Sequence, residues 1–578
     1  MTRAREETDV LVAGGGPVGL SAAIELARLG VRVTLAERRA TTSRHPKATI
    51  INARTMELFR SWGVADEVRD RGLPPEQSGM IAWVTQMAGH KIGHLDLIAD
   101  GSRLDELVSH SPELPAVCAQ DVVEPILLDH LRTRRDADVR FGTALASFEQ
   151  DEEGVTARLE GERGGTVRAR YLLAADGPQS AVRRRLGIGL SGPGALGHLV
   201  NIHFRADLSP WVVRCPSVLY WVMGPHLHGV VHALDGADRW LLNVFTDPHG
   251  ERIEEWPAER CAALVREAIG APELDAEVLA VKPWTMVGLV ADRFADGRVL
   301  LAGDCAHQFP PTGGFGMNTG IQDAGNIAWK LAGAVHGWAG PELLATYEPE
   351  RRPVVRVNLD QCVLNARRIM DMLFESAPDE ALLVQEGAGG DAARAAVAAE
   401  IPKQRDHFDF QGEALGTIYR SPAVIADGSE PPRVENPITD YVPSAHPGAR
   451  APHLWLEGAG DDLSTLDLAD GRFALLGGPD SGAWRAAAEE EAARAGVPLS
   501  AHAIGPGAEL APEDPEADFL GLYGIESGGA VLVRPDGHVA WRSAGPAPDP
   551  SRVLRGVLER VTGRAAAAAE AEPLEVVR

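Results

Sequence analysis

An α/β chain is predicted, with a doubly wound, Rossmann-like nucleotide-binding domain, an antiparallel sheet inserted into it, and a further small domain behind. Three features predict it. The apolar run at 9–13 feeds a glycine-rich turn and a helical pattern, and the next apolar run ends in an acidic residue. The run at 298–302 ends in Gly303–Asp304 and leads through two prolines and three glycines into another helical pattern. Between them, residues 190–285 alternate apolar and polar side chains in several short runs, the period of strands with one buried face.

Composition narrows the function classes. At 578 residues the chain is long enough for three or four domains. A hydrophobic share of 45% beside a charged share of 24% supports real cores in an ordinary globular protein. A formal net charge of −26 argues against nucleic acid as a partner, because neutralising phosphates needs basic patches. No apolar run approaches the ~20 residues of a membrane span, and no signal-peptide core stands at the start. A cytoplasmic protein without membrane contact is expected. Cys118, Cys215, Cys261, Cys305 and Cys362 show neither C-x-x-C nor metal spacing, so no metal site and no thiol chemistry is expected.

The first turn reads Gly14–Gly15–Gly16–Pro17–Val18–Gly19 between a strand and a helix that runs to Leu29. Gly14 makes the turn, Gly16 lets backbone reach a pyrophosphate, and Gly19 allows close helix–strand packing, with Pro17 and Val18 in the same cradle. The second strand ends in Glu37, which would accept hydrogen bonds from a ribose. The context marks a dinucleotide and does not by itself separate FAD from NAD.

The later stretch suits a flat, polarisable ring. Asp304 stands at a strand end, where open α/β sheets bind ligands. Pro310 and Pro311 make a stiff wall without backbone donors. Gly313, Gly314 and Gly316 let main chain approach a flat ligand. From about Met317–Asn318 the pattern is helical, with Ile321, Ala324, Ile327, Ala328 and Leu331 on one stripe. The start of that helix would aim N–H groups and a positive dipole end at a ring that becomes an anion, as a reduced flavin does.

Other segments fall between these landmarks. Arg38, Arg44, Lys47 and Arg54 are cationic candidates beside an anionic cofactor, or solvated surface charges. Residues 83–105 read as strands and a turn. Gln120 leads into the helix at 122–131, where a polar residue can cap it. A strand ends at Asp176–Gly177, with Ser180 four residues on, and Asp176 equally suits a helix N-terminus. In the alternating region Tyr220, Trp221, Met223, His226, His228 and His232 could line a pocket or pack the core. Helical patterns follow at 341–373 and 381–401, then an irregular stretch at 402–446. A final domain over about 447–560 contains a helix at 484–495 and a hairpin turning at Pro535–Asp536–Gly537. The Ala/Glu-rich tail at 565–572 reads as frayed.

Taken together, these motifs closely resemble the single-component (class A) FAD-dependent aromatic hydroxylases of the para-hydroxybenzoate hydroxylase type. The resemblance implies that Asp304 holds a ribityl hydroxyl and that Pro310, Pro311 and Gly314 form the loop at the reacting flavin edge, with no side-chain base assigned. It implies that the helix from Met317–Asn318 faces the N1/O2 side. Gly14, Gly16, Pro17, Val18, Gly19, Glu37, Arg38, Lys47, Arg54, Gln120, Asp176, Gly177, Gly303 and Gly316 complete the expected cofactor cradle. Lys47 stands where the family usually has arginine, which keeps the charge without the planar fork. The alternating sheet would roof the flavin and hold an aromatic substrate near Tyr220, Trp221 and Met223. Residues 402–446 resemble tetracenomycin-type polyketide oxygenases and dichlorophenol hydroxylases. The final domain resembles the thioredoxin-like C-terminal domain of phenol and polyketide hydroxylases. Without a cysteine after Cys362 it has no thioredoxin chemistry, and packing or support of a homodimer is what remains.

The implied organisation is an FAD domain at 1–80, 101–188 and 286–345, a substrate sheet at 81–100 and 189–285, and a helical, wrapping region at 346–446. A thioredoxin-like domain at 447–563 and a tail at 564–578 follow. The implied activity is hydroxylation of an aromatic, polycyclic polyketide with NADPH (or NADH) and O2, through a flavin C4a hydroperoxide. A Baeyer–Villiger oxygenase, a simple phenol hydroxylase and a flavin-holding binding protein without turnover are the alternatives. A flavin halogenase is disfavoured, since no G-W-x-W-x-I-P segment is present.

Overall fold

Five parallel strands carry the nucleotide end of the molecule. They run across the sheet in the order Val299–Leu301, Gly165–Ala174, Glu6–Ala13, Val33–Glu37, Ala137–Phe141. The computed structural model describes residues 6–98, 101–246, 256–375, 380–458 and 462–564. Val10, Leu11, Val12, Leu172 and Leu173 are wholly buried, which is why these strands read as continuous apolar runs and do not alternate. The Pro17–Arg28 and Phe315–His336 helices pack against one another beside the sheet. In register, Ala13 pairs with Ala174 and Ala174 with Leu301. The three motifs that follow these residues therefore open side by side along one carboxyl edge.

The second sheet has eight strands among the described residues. Its order is His307–Gln308, Glu277–Ala291, Leu190–Arg205, Arg239–Thr246, His228–Ala233, Leu219–Met223, Met80–Val84, Lys91–Asp96. All neighbours are antiparallel except Leu219–Met223 and Met80–Val84. The Glu277–Ala291 strand pairs with Leu190–Arg205 as far as Ala291, so it continues past residue 285, where the expected sheet domain ended. The expectation of strands and a turn over 83–105 holds only in part. Two strands, Met80–Val84 and Lys91–Asp96, are followed by a helix, Ser102–His110, that starts after Gly101 at φ +70°; Leu104 and Leu107 face the cavity described below, one helical turn apart.

A short helix, Pro341–Ala345, and a long one, Tyr347–Met370, follow. The expected helix at 381–401 is two pieces, Glu380–Leu383 and Ala388–Ala398, parted near Gly387 at φ +87°. Residues 401–446 wrap over the surface with short turns of helix at Ile401–His407 and Gln411–Leu415. The C-terminal domain is a mixed four-stranded sheet ordered Leu499–Ala503, Phe473–Gly477, Ala530–Val533, Val539–Ser543. Helices Gly482–Ala495 and Pro550–Val561 pack together on it around Phe473, Trp484 and Leu554. The hairpin turns at Arg534–Gly537, with Gly537 at φ +76°. The tail at 565–572 lies outside the described residues. No helix among the described residues is long and apolar enough to cross a membrane, and none of their acidic, histidine and cysteine side chains cluster to hold a metal.

Candidate active site

The first turn is built so that only part of it is filled by protein. Gly14 holds φ +114°, and a Cβ there would stand 2.2 Å from the Ala175 carbonyl oxygen. At Gly19 a Cβ would stand 2.0 Å from the Gly14 carbonyl oxygen, so this residue acts through packing. A Cβ at Gly16 would meet nothing within 4 Å. Pro17 occupies the first helical position, where a missing N–H costs nothing. Glu37 accepts from the Gly15 N–H at 2.6 Å and the Arg39 N–H at 2.8 Å. Burial opposes its charge, but the hydrogen bonds from Arg39 and Gly15 prevail and hold the carboxyl below its ordinary range.

At the neighbouring strand end, Gly303 turns at φ +66° against Val18, which a Cβ would meet at 2.8 Å. Asp304 opens into a cavity of about 1230 Å3. Enclosure by protein raises its carboxyl, while His307 and Lys47 pull the other way. Pro310, Pro311 and Gly314 line the same cavity. The Gly314 N–H donates to the Pro311 carbonyl at 2.9 Å and closes a tight turn. Because Gly314 takes the left-handed conformation as N-cap, the helix begins at Phe315, two residues before the expected start. Gly316 and Met317 line the cavity, and a Cβ at Gly316 would meet nothing within 4 Å. The first-turn N–H groups, which a helix cannot pair internally, therefore stand at the cavity wall.

Gly14, Gly16, Pro17, Val18, Glu37, Arg38, Lys47, Gln120, Asp176 and Gly177 all border this one space. Asp176 serves two ends. Its Oδ2 accepts from the N–H groups of Ala181 and Val182 at 2.8 and 3.2 Å, while its Oδ1 is buried without a partner in the protein. Gln120 donates to Glu124 at 2.6 Å. Two expected contacts fall elsewhere. The Asn318 side chain accepts from the Asn52 N–H at 3.0 Å and donates to the Ile50 and Gly314 carbonyls at 3.0 and 2.8 Å, so it braces the wall from behind. Arg54 turns away from the cavity to Glu57, at 2.7 Å, and to the carbonyl of Asp536.

The other end of the cavity lies against the antiparallel sheet. Trp221 lines it, together with Leu219, Phe245 and Trp284. Tyr220 does not. Strand alternation sends it to the opposite face, where its hydroxyl donates to the Cys215 carbonyl at 2.8 Å. Met223 ends its strand opposite His228, beyond the cavity, and is wholly buried. The residues missed by sequence reasoning are polar. Lys282, Asn201, Asn243 and Val230 pair in one row across four adjacent strands and all face the cavity. Asn243 Nδ2 lies 2.9 Å from His232 Nε2. Asn201 Oδ1, Asn243 Oδ1 and His232 Nδ1 are buried without a partner in the protein. Burial lowers His232 to about 4, and burial with the charge of Lys282 lowers His45, also at the cavity, to about 4. A signal existed: Val200–Asn201–Ile202 and Leu242–Asn243–Val244 each place one amide inside an apolar run.

The family profile described as "FAD binding domain" matches residues 7–362, and the one described as "Aromatic-ring hydroxylase, C-terminal" matches residues 444–565. The chain belongs to the FAD-binding aromatic-ring hydroxylases. This hydroxylase is 40% identical to a putative polyketide hydroxylase of Streptomyces coelicolor, over 96% of both chains. It is also 40% identical to aklavinone 12-hydroxylase RdmE of Streptomyces purpurascens, over 96% of this chain and 99% of the relative. The crystal structure of the flavin-dependent monooxygenase PieE with FAD and substrate superposes with a TM-score of 0.89 at 35% identity, covering 98% of this chain and all of PieE. The hydroxylase is thus an FAD-dependent monooxygenase with the fold class predicted from its sequence. Its residues fit the cofactor: the space kept at Gly16 and Gly316, the open Asp176 Oδ1 and the cavity-facing Asp304 form a cradle that protein atoms do not fill.

Proposed function

We propose that this hydroxylase adds one oxygen atom to an aromatic ring of a polycyclic, oxygen-bearing polyketide, using NADPH and O2. The polar row of Lys282, Asn201 and Asn243, set in an otherwise apolar and aromatic wall, carries this reading. A flat ring system packs against Trp221, Trp284 and Phe245, and its hydroxyl and carbonyl oxygens meet the row. The amide–imidazole pair offers one donor and one acceptor whichever way the Asn243 amide is turned. Lys282 favours a phenol in its ionised, electron-rich form. The size of the cavity, about 1230 Å3, supports a large substrate beside the cofactor. RdmE, by its name, acts on aklavinone.

FAD, once reduced by the nicotinamide donor, supplies the oxygen-activating chemistry when bound. The protein's residues do the rest. Glu37 accepts from the ribose, Asp304 from the ribityl chain, and the first turn of the Phe315–His336 helix stabilises negative charge on the ring. Pro310 and Pro311 wall the reacting edge without offering N–H donors, and the apolar lining keeps water out.

The test is NADPH oxidation by the purified flavoprotein, with polycyclic hydroxyquinones and single-ring phenols in parallel and product masses recorded. Stimulation by a polycyclic compound with one added oxygen supports the proposal. Saturation by single-ring phenols alone, or a product with a ring-inserted oxygen, overturns it.

A further inference from the structure

The C-terminal domain has no thiol chemistry, yet its hairpin turn is driven into the FAD domain through a chain of buried charges. Arg534 is wholly buried and binds in two directions. It donates to Glu350 at 2.7 and 2.8 Å and to Asp536 at 3.0 and 2.6 Å. Glu350, on the Tyr347–Met370 helix, also accepts from Lys330 at 2.7 Å and Asn326 at 2.8 Å, both on the Phe315–His336 helix. The next residue, Arg351, donates to Asp323 at 2.7 Å and to the Thr319 carbonyl at 3.0 Å. Asp323 completes the path: its Oδ2 accepts from the Gly303 N–H at 3.1 Å and lies 2.8 Å from His307 Nε2. One residue later stands Asp304.

Stability alone does not explain this network. The charges balance, three cations against three carboxylates, but taking six ions out of water is costly. Apolar side chains of similar volume commonly hold such a seam as well or better. What ions and hydrogen bonds add is direction, because each guanidinium accepts only one arrangement of its carboxylates. The direction imposed here ends on the backbone that presents Asp304 and on the first turns of the helix beside Gly316. A second tie points the same way. Arg450 of the C-terminal domain donates to Glu57, and Arg54 reaches the Asp536 carbonyl, so the helix that follows Asn52 is held from the same side.

We propose that Arg534 is a positioning residue for the flavin site: through Glu350, Arg351 and Asp323 the C-terminal domain fixes the Gly303–Asp304 turn in its cofactor-binding conformation. The domain then acts on FAD without touching it.

The experiment compares FAD affinity with stability in full-length variants. Arg534→Met is set beside Trp484→Phe, which disturbs the core of the same domain at its contact with Trp541. FAD dissociation constants are read from flavin fluorescence on reconstitution, and melting temperatures from apoprotein calorimetry. Arg534→Met is expected to weaken FAD by on the order of tenfold, with Arg534→Lys recovering only part of it. Trp484→Phe is expected to lower the melting temperature while FAD affinity stays within about twofold. Should Arg534→Met not fold, Asp536→Asn, which keeps the shape, takes its place with the same direction expected. Unchanged FAD affinity in a folded Arg534 or Asp536 variant overturns the proposal. So does an equal loss of affinity in Trp484→Phe, since the effect would then follow stability.

Discussion

A Cβ on Gly19 would lie 2.0 Å from the carbonyl oxygen of Gly14, whereas Gly16, between them, has room for one with nothing within 4 Å. Two glycines are therefore required by the protein's own packing, and the third keeps a space that protein atoms do not fill. Gly16→Val is expected to leave the apoprotein's melting temperature nearly unchanged and to weaken FAD by about 1–3 kcal/mol, roughly five- to 150-fold. Gly14→Val is expected to lower both. Titration of the two apoproteins with FAD, beside their thermal melts, separates these cases; equal FAD affinity in Gly16→Val and wild type would remove the pyrophosphate reading.

Asp304 is the one carboxylate that opens into the cavity from the Gly303 turn. Asp304→Ala is expected to cost about 1.5–3 kcal/mol of FAD binding, roughly ten- to hundredfold. Flavin content of the purified variant, by absorbance, is the check. Full occupancy would count against the role.

Asn243, in the sheet wall of the cavity, lies 2.9 Å from His232 and leaves its oxygen without a protein partner. Asn243→Leu is expected to raise KM for a polycyclic phenol about tenfold, as losing one buried hydrogen bond does, with flavin content intact. The comparison of KM, kcat and flavin occupancy checks it, and an unchanged KM would exclude Asn243 from substrate recognition.

Glu413 lies behind the cavity next to Ala414 and accepts from Asn358 at 2.6 Å, its second oxygen unpartnered. Burial raises its carboxyl to about 7, with Asn358 and Arg351 opposing. The folded state thus prefers the neutral acid. Stability tied to this group is complete below its ordinary value near 4.5 and is lost as pH rises through about 7. Glu413→Gln, which keeps the acceptor, is expected to be neutral at pH 4 and to stabilise by about 3 kcal/mol at pH 8. Denaturant melts at both pH values decide it; a gain of equal size at both would assign the effect to packing.

How much was legible follows the nature of each signal. The glycine turns, Glu37 and the Gly303–Asp304 strand end announce themselves because backbone geometry demands particular residues at particular spacings, and the cavity they border is continuous. Tyr220 and Met223 were expected beside Trp221 because a local run shows alternation but not where a cavity begins or ends. Arg54 was grouped with cofactor contacts because it is cationic and near the right motif. Its partner, the Asp536 carbonyl, lies 482 residues away.

By itself the sequence determined the fold class, the three-strand cofactor edge and the family. These rest on short-range regularities: period, turn chemistry and strand-end residues, which a linear chain displays directly. Only the tertiary structure decided which polar side chains face the cavity and what the cysteine-free C-terminal domain contacts. Lys282, Asn201 and Asn243 become one surface through strand pairing, and Arg534 meets Glu350 across 184 residues. Such contacts depend on register and docking between distant segments, and no local pattern encodes them.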